Sequence, residues 1–290
     1  VKMSKTEEHE VLHVSSEFRG KVVDCEKIIR LGFIRKVYGI LSMQLLATAF
    51  VCYLAMRLEG KYVGGFSTLS FGSFIASSTA FYIFTFVVTI LLLIALLCFK
   101  NIYPINYILL SVWTVTISFS VASACVVTLC DPMVQQGSAL VPLSYANATG
   151  DKIQLYNNAL YCALGTDLER SGTNSVLMAL GITAGLFIGL TTFTFQSRWD
   201  FSFLGAGLSS ALWILIIWGV CMSIFGGGGM MRYLYSLAGC VIFSFYIIFD
   251  TWQLSCKYGP DDYIIASIDL YLDILNLFLY ILQLLSDRRN

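Results

Sequence analysis

The chain has 290 residues, of which 57% are hydrophobic and only 12% charged, with a formal net charge of zero and a mean hydropathy of +0.76. Soluble domains carry roughly 25% charged residues, so this composition excludes an ordinary water-soluble globule. The zero balance also gives no electrostatic footprint for nucleic acid. Nine cysteines lie mostly in apolar runs with no CxxC pair; most are expected to be reduced and buried, behaving as small hydrophobes.

The first 36 residues are polar and hold eight of the eighteen Lys and Arg residues, namely Lys2, Lys5, Arg19, Lys21, Lys27, Arg30, Arg35 and Lys36. By the positive-inside rule this tail is expected in the cytosol. No cleavable leader pattern precedes the first span, which is expected to act as an uncleaved signal. The tail contains His9-Glu10-Val11-Leu12-His13, a literal HExxH. These are the only two histidines of the chain, no third ligand accompanies them, and the match is read as chance rather than as a zinc site.

Seven runs are long and apolar enough to cross a bilayer: about 38–56, 79–99, 105–129, 175–195, 201–225, 233–254 and 264–285. A short loop rich in Gly and Ser is expected between the first two. Pro104 marks the turn between the second and third, where its missing N–H does least harm. Residues 131–173 form the one long polar insertion, expected in the lumen. It contains the acceptor sequon Asn147-Ala148-Thr149, and Cys130 and Cys162 bracket much of it, a pair that could close in an oxidising compartment. The fourth run carries Gly181, Gly185 and Gly189 at i, i+4 and i+8, a groove expected to seat a neighbouring helix. Four glycines at 226–229 lack the following Lys and Ser/Thr of a phosphate loop and are read as a turn. The sequence thus divides into a tail (1–36), a seven-helix domain (37–286, with the 131–173 insertion) and a C-terminal tail (287–290). With seven spans the C-terminus is expected in the lumen, although Arg288 and Arg289 mildly oppose that placement.

The seventh run holds the chemistry. Asp269, Asp273, Asn276, Tyr280 and Gln283 follow a 4-3-4-3 spacing, one polar stripe on an otherwise apolar helix. Asp250 sits about one turn from the end of the sixth run, with Tyr246 and Gln253 on its face. An ionised Asp at mid-bilayer costs about 3 kcal/mol on insertion scales. These carboxylates therefore need a shared proton, a cation or water. Carboxylates in one site cannot all ionise freely and titrate as a unit; deprotonated, their oxygens suit a hard cation such as Ca2+.

Four stretches carry a resemblance: "IIRLGFIRKVYGILSMQLLATAF" leading into the first span, "VLMALGITAGLFIGLTTFTFQSRWDF" through the fourth, "FSFYIIFDTWQL" in the sixth and "YIIASIDLYLDILNLFLYILQLL" in the seventh. Together they resemble the transmembrane Bax inhibitor motif family, its lifeguard branch in particular, over most of residues 28–286. The resemblance implies an all-α integral membrane protein, a seven-transmembrane-helix bundle of the Bax-inhibitor type. It also implies that Asp250 and Asp273 are the paired aspartates proposed in that family to share a proton and gate a pH-sensitive calcium leak, which would make them transient Ca2+ ligands. Lys100 lies near the place where some relatives have an Arg that can bind the pair. Asp269 departs from the family, where Asn or Ser is common, and is an additional candidate member of the titrating group. The 131–173 insertion is longer than the family leads one to expect, and the basic C-terminal tail of some relatives is missing.

The leading reading is a non-enzymatic, pH-responsive calcium leak channel that restrains apoptosis, with Ca2+ as the transported ion and no cofactor. Its partners would be membrane lipid, Ca2+, protons and cell-death regulatory membrane proteins, with the endoplasmic reticulum or Golgi as its compartment and the plasma membrane as the alternative. A second reading is a non-conducting scaffold for cell-death proteins or receptors. A third, an intramembrane aspartyl protease, shares the two-aspartate logic, but Leu270-Tyr271-Leu272 replaces Gly-x-Gly before Asp273 and no Pro-Ala-Leu follows.

Overall fold

The computed structural model describes residues 27–63, 66–69, 71–100, 102–130, 133–136, 139–142, 153–155, 162, 164, 166–197, 199–226 and 228–287. Among the described residues the framework is eight helices: α1 (Lys27–Arg57), the short α2 (Phe71–Ser77), α3 (Thr79–Phe99), α4 (Ile105–Leu129), α5 (Asp167–Gln196), α6 (Leu204–Phe225), α7 (Gly229–Cys256) and α8 (Tyr263–Asp287). All but α2 are long and apolar enough to span a membrane, seven in total among the described residues. The all-α seven-span architecture is therefore the architecture of the chain.

Among the described residues, short β-structure lies after α1 and after α4. Strands β1 (Glu59–Val63) and β2 (Phe66–Leu69) pair antiparallel between α1 and α2. The loop expected at this point is thus a hairpin followed by a helical turn. Between α4 and α5, β3 (Met133–Gln136) pairs antiparallel with both β4 (Ala139–Pro142) and β5 (Ile153–Leu155). Cys130 and Cys162 are joined by a disulfide with Cα atoms 4.8 Å apart. Cys162 also ties this region to the first hairpin: its carbonyl accepts from Leu69 N at 3.0 Å and its N–H donates to Ser73 Oγ at 3.1 Å. We call this the hairpin side of the bundle.

Helix ends follow local chemistry. α5 starts at Asp167, earlier than its apolar run, because Thr166 caps it: Thr166 Oγ1 accepts from Glu169 N at 3.1 Å, with Asp167 and Glu169 favoured in the first turn by the helix dipole. Ser78 caps α3 in the same way. α1 starts about ten residues before its apolar run, since the Arg- and Lys-rich segment at its start continues the same helix.

Within the bundle α8 is central, packed against α7, α5, α1 and α4, while α3 leans on α4 and α6 on α7. The α7–α8 pairing is the most extensive and depends on Gly239. A Cβ there would lie 2.4 Å from the Tyr280 ring, so only glycine admits that ring, which stacks on Phe243 at 5.7 Å. The α5 glycines do something else than expected. Gly181, Gly185 and Gly189 are exposed, with no heavy atom within 4 Å of where a Cβ would stand. α5 instead presents Val176, Ala179 and Thr183 to the bundle, and the glycine groove is left on the outer surface.

Candidate functional site

The side opposite the hairpins is held together by charge and aromatic contacts around the α7–α8 turn. Lys36 of α1 places its ammonium 3.2 Å from the centre of the Tyr263 ring, and Tyr107 of α4 stacks on that ring at 6.1 Å. Lys100, at the end of α3, pairs with Asp262 at 3.2 Å. The structure thus places Lys100 on a turn carboxylate instead of the intramembrane aspartates. The reason is positional: Lys100 caps α3, and Asp262 lies in the turn just before α8. Lys257, just past the end of α7, lies within electrostatic reach of Asp250 and Asp269.

From this turn the helices carry the acids inward. Asp250 lies six residues before the end of α7, and Asp269 and Asp273 lie six and ten residues after the start of α8; at 1.5 Å per residue these are depths of about 9, 9 and 15 Å. Asp250 and Asp273 are 8% and 6% exposed. Their carboxyl groups come close enough across the α7–α8 interface to act on each other. Asp250 Oδ1 accepts from Gln253 Nε2 at 2.9 Å, whereas Asp273 Oδ2 is buried with no hydrogen-bond partner. That orphaned oxygen is a strong demand for a proton, a cation or water, because an unpaired buried carboxylate oxygen is costly.

Asp269 is only half-buried and has a different partner. Its Oδ2 accepts a short hydrogen bond from the Tyr258 hydroxyl in the turn. Burial and the neighbouring Asp269 carboxylate hold the Tyr258 phenol protonated well above the usual tyrosine range, so it remains a donor. Asp269 still acts electrostatically on both other acids, so the three form one field. Tyr246 lies within electrostatic reach of Asp250 and Asp273. Next to Asp250 in sequence, Thr251 lies near the Tyr38 hydroxyl of α1, as does Thr191 of α5. The rest of the α8 stripe serves packing: Asn276 Nδ2 donates to Leu272 O at 2.9 Å, and the Tyr280 and Tyr235 hydroxyls meet at 3.2 Å.

Among the described residues, no group of three or more His, Cys, Asp or Glu is arranged to hold a metal ion. His9, His13, Asn147, Arg288 and Arg289 lie outside the described residues. Tyr258, Lys257, Tyr38 and Thr191 were not singled out from sequence. Tyr258 and Lys257 had a legible signal, a phenol and an ammonium in the turn directly between two acid-bearing helices. Tyr38 and Thr191 had none.

A seven-span bundle whose last two spans bury Asp250 and Asp273 defines a polytopic integral membrane protein. The family described as Inhibitor of apoptosis-promoting Bax1 matches residues 158–290, the half that contains both aspartates. The chain is 35% identical over 263 residues to the Golgi anti-apoptotic protein of Vaccinia virus (strain Lister), covering 89% of this chain and 86% of that protein. It is 31% identical to Bax inhibitor 1 of Schizosaccharomyces pombe, over 93% of this chain and 81% of that one. With Protein lifeguard 4 of Mus musculus it shares 32% identity over 89% and 86%. The chain belongs to the Bax inhibitor and lifeguard family.

Proposed function

We propose that this protein is a pH-sensitive calcium leak channel of an intracellular membrane, the Golgi or endoplasmic reticulum, which lowers stored calcium and so restrains apoptosis. The observation that carries this reading is the buried Asp250–Asp273 pair with Asp273 Oδ2 unpartnered. A proton shared between the two carboxyls latches α7 to α8. When it leaves, two like charges face each other in a medium that screens them poorly. The helices then part or a cation takes the proton's place, and a hard divalent cation suits carboxylate oxygens best. Asp269, tied to Tyr258, adds negative field without being a member of the pair. The N-terminal tail faces the cytosol in this scheme, and the disulfide-bonded hairpin side faces the oxidising lumen. An anti-apoptotic role is in keeping with the names of the Vaccinia and S. pombe relatives.

The test is calcium efflux from liposomes holding the purified protein, scanned from about pH 5 to about pH 8, with Asp250→Asn and Asp273→Asn alongside. The expected result is an efflux whose pH dependence flattens in both variants. Folded protein that releases no more calcium than empty liposomes would refute the channel and leave the non-conducting scaffold as the reading.

A further inference from the structure

Where α1 begins and α5 and α7 end, on the side opposite the hairpins, a cavity of about 370 Å3 is lined in part by Arg30, Ser197, Trp199, Asp200, Trp252 and Ser255. The three spans concerned run 28 or 29 residues, about 42 Å at 1.5 Å per residue. That length exceeds a hydrocarbon core of about 30 Å and matches a bilayer with both of its headgroup layers. Arg30 is the second residue of the first of these spans, and Ser255 the last but one of the third, so the cavity opens at headgroup depth. Trp199, 74% exposed, and Trp252, stacked on Phe249 at 6.0 Å, add the indoles that favour this boundary.

Two opposite charges line the cavity without meeting. Among the described residues the ion pairs are Lys100–Asp262 and Arg170–Asp167, so neither Arg30 nor Asp200 is paired there. Arg30 is half-buried and makes no hydrogen bond among the described residues, which leaves its whole donor fork to offer. Asp200 Oδ1 accepts from Ser202 N at 2.9 Å, and its second oxygen has no donor among the described residues. Ser197 Oγ accepts from Trp199 N at 3.1 Å and keeps its own hydrogen to give. By contrast, Thr194 and Ser255 donate within their own helices, to Leu190 O at 2.8 Å and Thr251 O at 3.4 Å.

A guanidinium fork suits the oxygens of a phosphate, and a free carboxylate oxygen suits an ammonium. The C-terminal ends of α5 and α7 add negative partial charge beside Asp200, which disfavours a ligand that is anionic throughout. A quaternary ammonium has no N–H to give Asp200; a primary one has three. We propose that this cavity binds the headgroup of a membrane phospholipid whose phosphodiester carries a primary ammonium, the ethanolamine class, with Arg30 and Ser197 on the phosphate and Asp200 on the ammonium. A lipid is the occupant, rather than a water-borne phosphate ester, because the cavity opens where headgroups are concentrated. The site stands apart from the aspartate pair and needs no calcium leak.

Native mass spectrometry tests this on the full-length protein, released from detergent micelles that contain phosphatidylethanolamine, phosphatidylglycerol or phosphatidylcholine with identical chains. Wild type should retain the ethanolamine lipid at least about fivefold more than either of the others. Arg30→Gln should lower that retention about tenfold, and Asp200→Asn should abolish the preference over phosphatidylglycerol. Arg35→Gln, at an exposed residue of the same helix, should change neither. Equal retention of the three lipids by wild type, or unchanged retention in folded Arg30→Gln, would overturn the site. If Arg30→Gln does not fold, Asp200→Asn decides, and a preference kept there would overturn the site. Glycerophosphoethanolamine, the same headgroup without chains, should not be retained at the concentration that loads the lipid; retention equal to the lipid's would overturn the lipid as occupant.

Discussion

α6 and α8 have similar hydropathy, 2.1 and 1.8, yet 11% of the first is buried in the bundle and 67% of the second. In water the more apolar helix would take the core. In a bilayer apolar side chains gain nothing by leaving lipid for protein, so position is decided by polar groups that cannot face hydrocarbon. The hydroxyls of Ser209 and Ser210 on α6 bond back to the carbonyls of Gly205 and Gly207, so neither serine draws that helix inward. α8 carries Asp269, Tyr271, Asp273, Asn276 and Tyr280, which cannot all be satisfied within one helix, and it is drawn to the middle. Its two faces then differ in turn, with carboxylates toward α7 and the Tyr271 hydroxyl toward α1, where it meets Thr48 Oγ1 at 2.7 Å.

The comparison can be broken most severely on α6. Ile217 is 58% exposed, and Ile217→Asp should cost roughly 3 kcal/mol of membrane insertion, read as a fall in integrated protein, whereas Ile217→Leu should change nothing measurable. Equal insertion of the Asp variant would show that α6 does not face lipid. On the packed pair, Gly239→Val should drive the Tyr280 ring from its seat and destabilise the fold by about 2 kcal/mol, seen as a lower Tm; a companion Tyr280→Ala should recover part of it. Tyr258→Phe removes the one side-chain donor that Asp269 has and should cost about 1.5 kcal/mol. Because Tyr258 stays protonated above the usual tyrosine range, the loss should be the same at about pH 8 and about pH 10, above the range in which the neighbouring carboxyls ionise; a loss present only at the lower of these would show that the phenol titrates between them. The smallest effect belongs to Lys100→Ala. Its pair with Asp262 is about one-third exposed on both sides, and the change should cost less than about 1 kcal/mol and leave the pH dependence of calcium efflux in place.

Much of this was legible in the sequence. Seven apolar runs mark seven helices because bilayer thickness leaves little freedom in length, and the 4-3-4-3 stripe names the helix that must go inside. The family resemblance selected Asp273 over Asp269 as the residue paired with Asp250, where depth alone leaned the other way. Other features were missed for identifiable reasons. The early start of α5 was written in Thr166-Asp167-Leu168-Glu169, a capping box outside the apolar run. The glycines at 181, 185 and 189 satisfy a packing motif, but a motif does not say which face of a helix the bundle uses. The Gln44/Thr48 and Thr114/Ser118 pairs each show polar residues at i and i+4 inside a span. Their meeting with Tyr271 depends on how three helices are rotated, which no local pattern encodes.

The central claim is that Asp250 and Asp273 hold one proton between them. Infrared difference spectroscopy of the protein in lipid, titrated from about pH 5 to about pH 8, observes that proton directly through the carbonyl stretch of a protonated carboxyl group. The account predicts one such band that disappears as the pair ionises, and that is shifted or lost in both Asp250→Asn and Asp273→Asn. A band that titrates unchanged in either variant would mean that the two carboxyls ionise independently, and the shared-proton latch would be wrong.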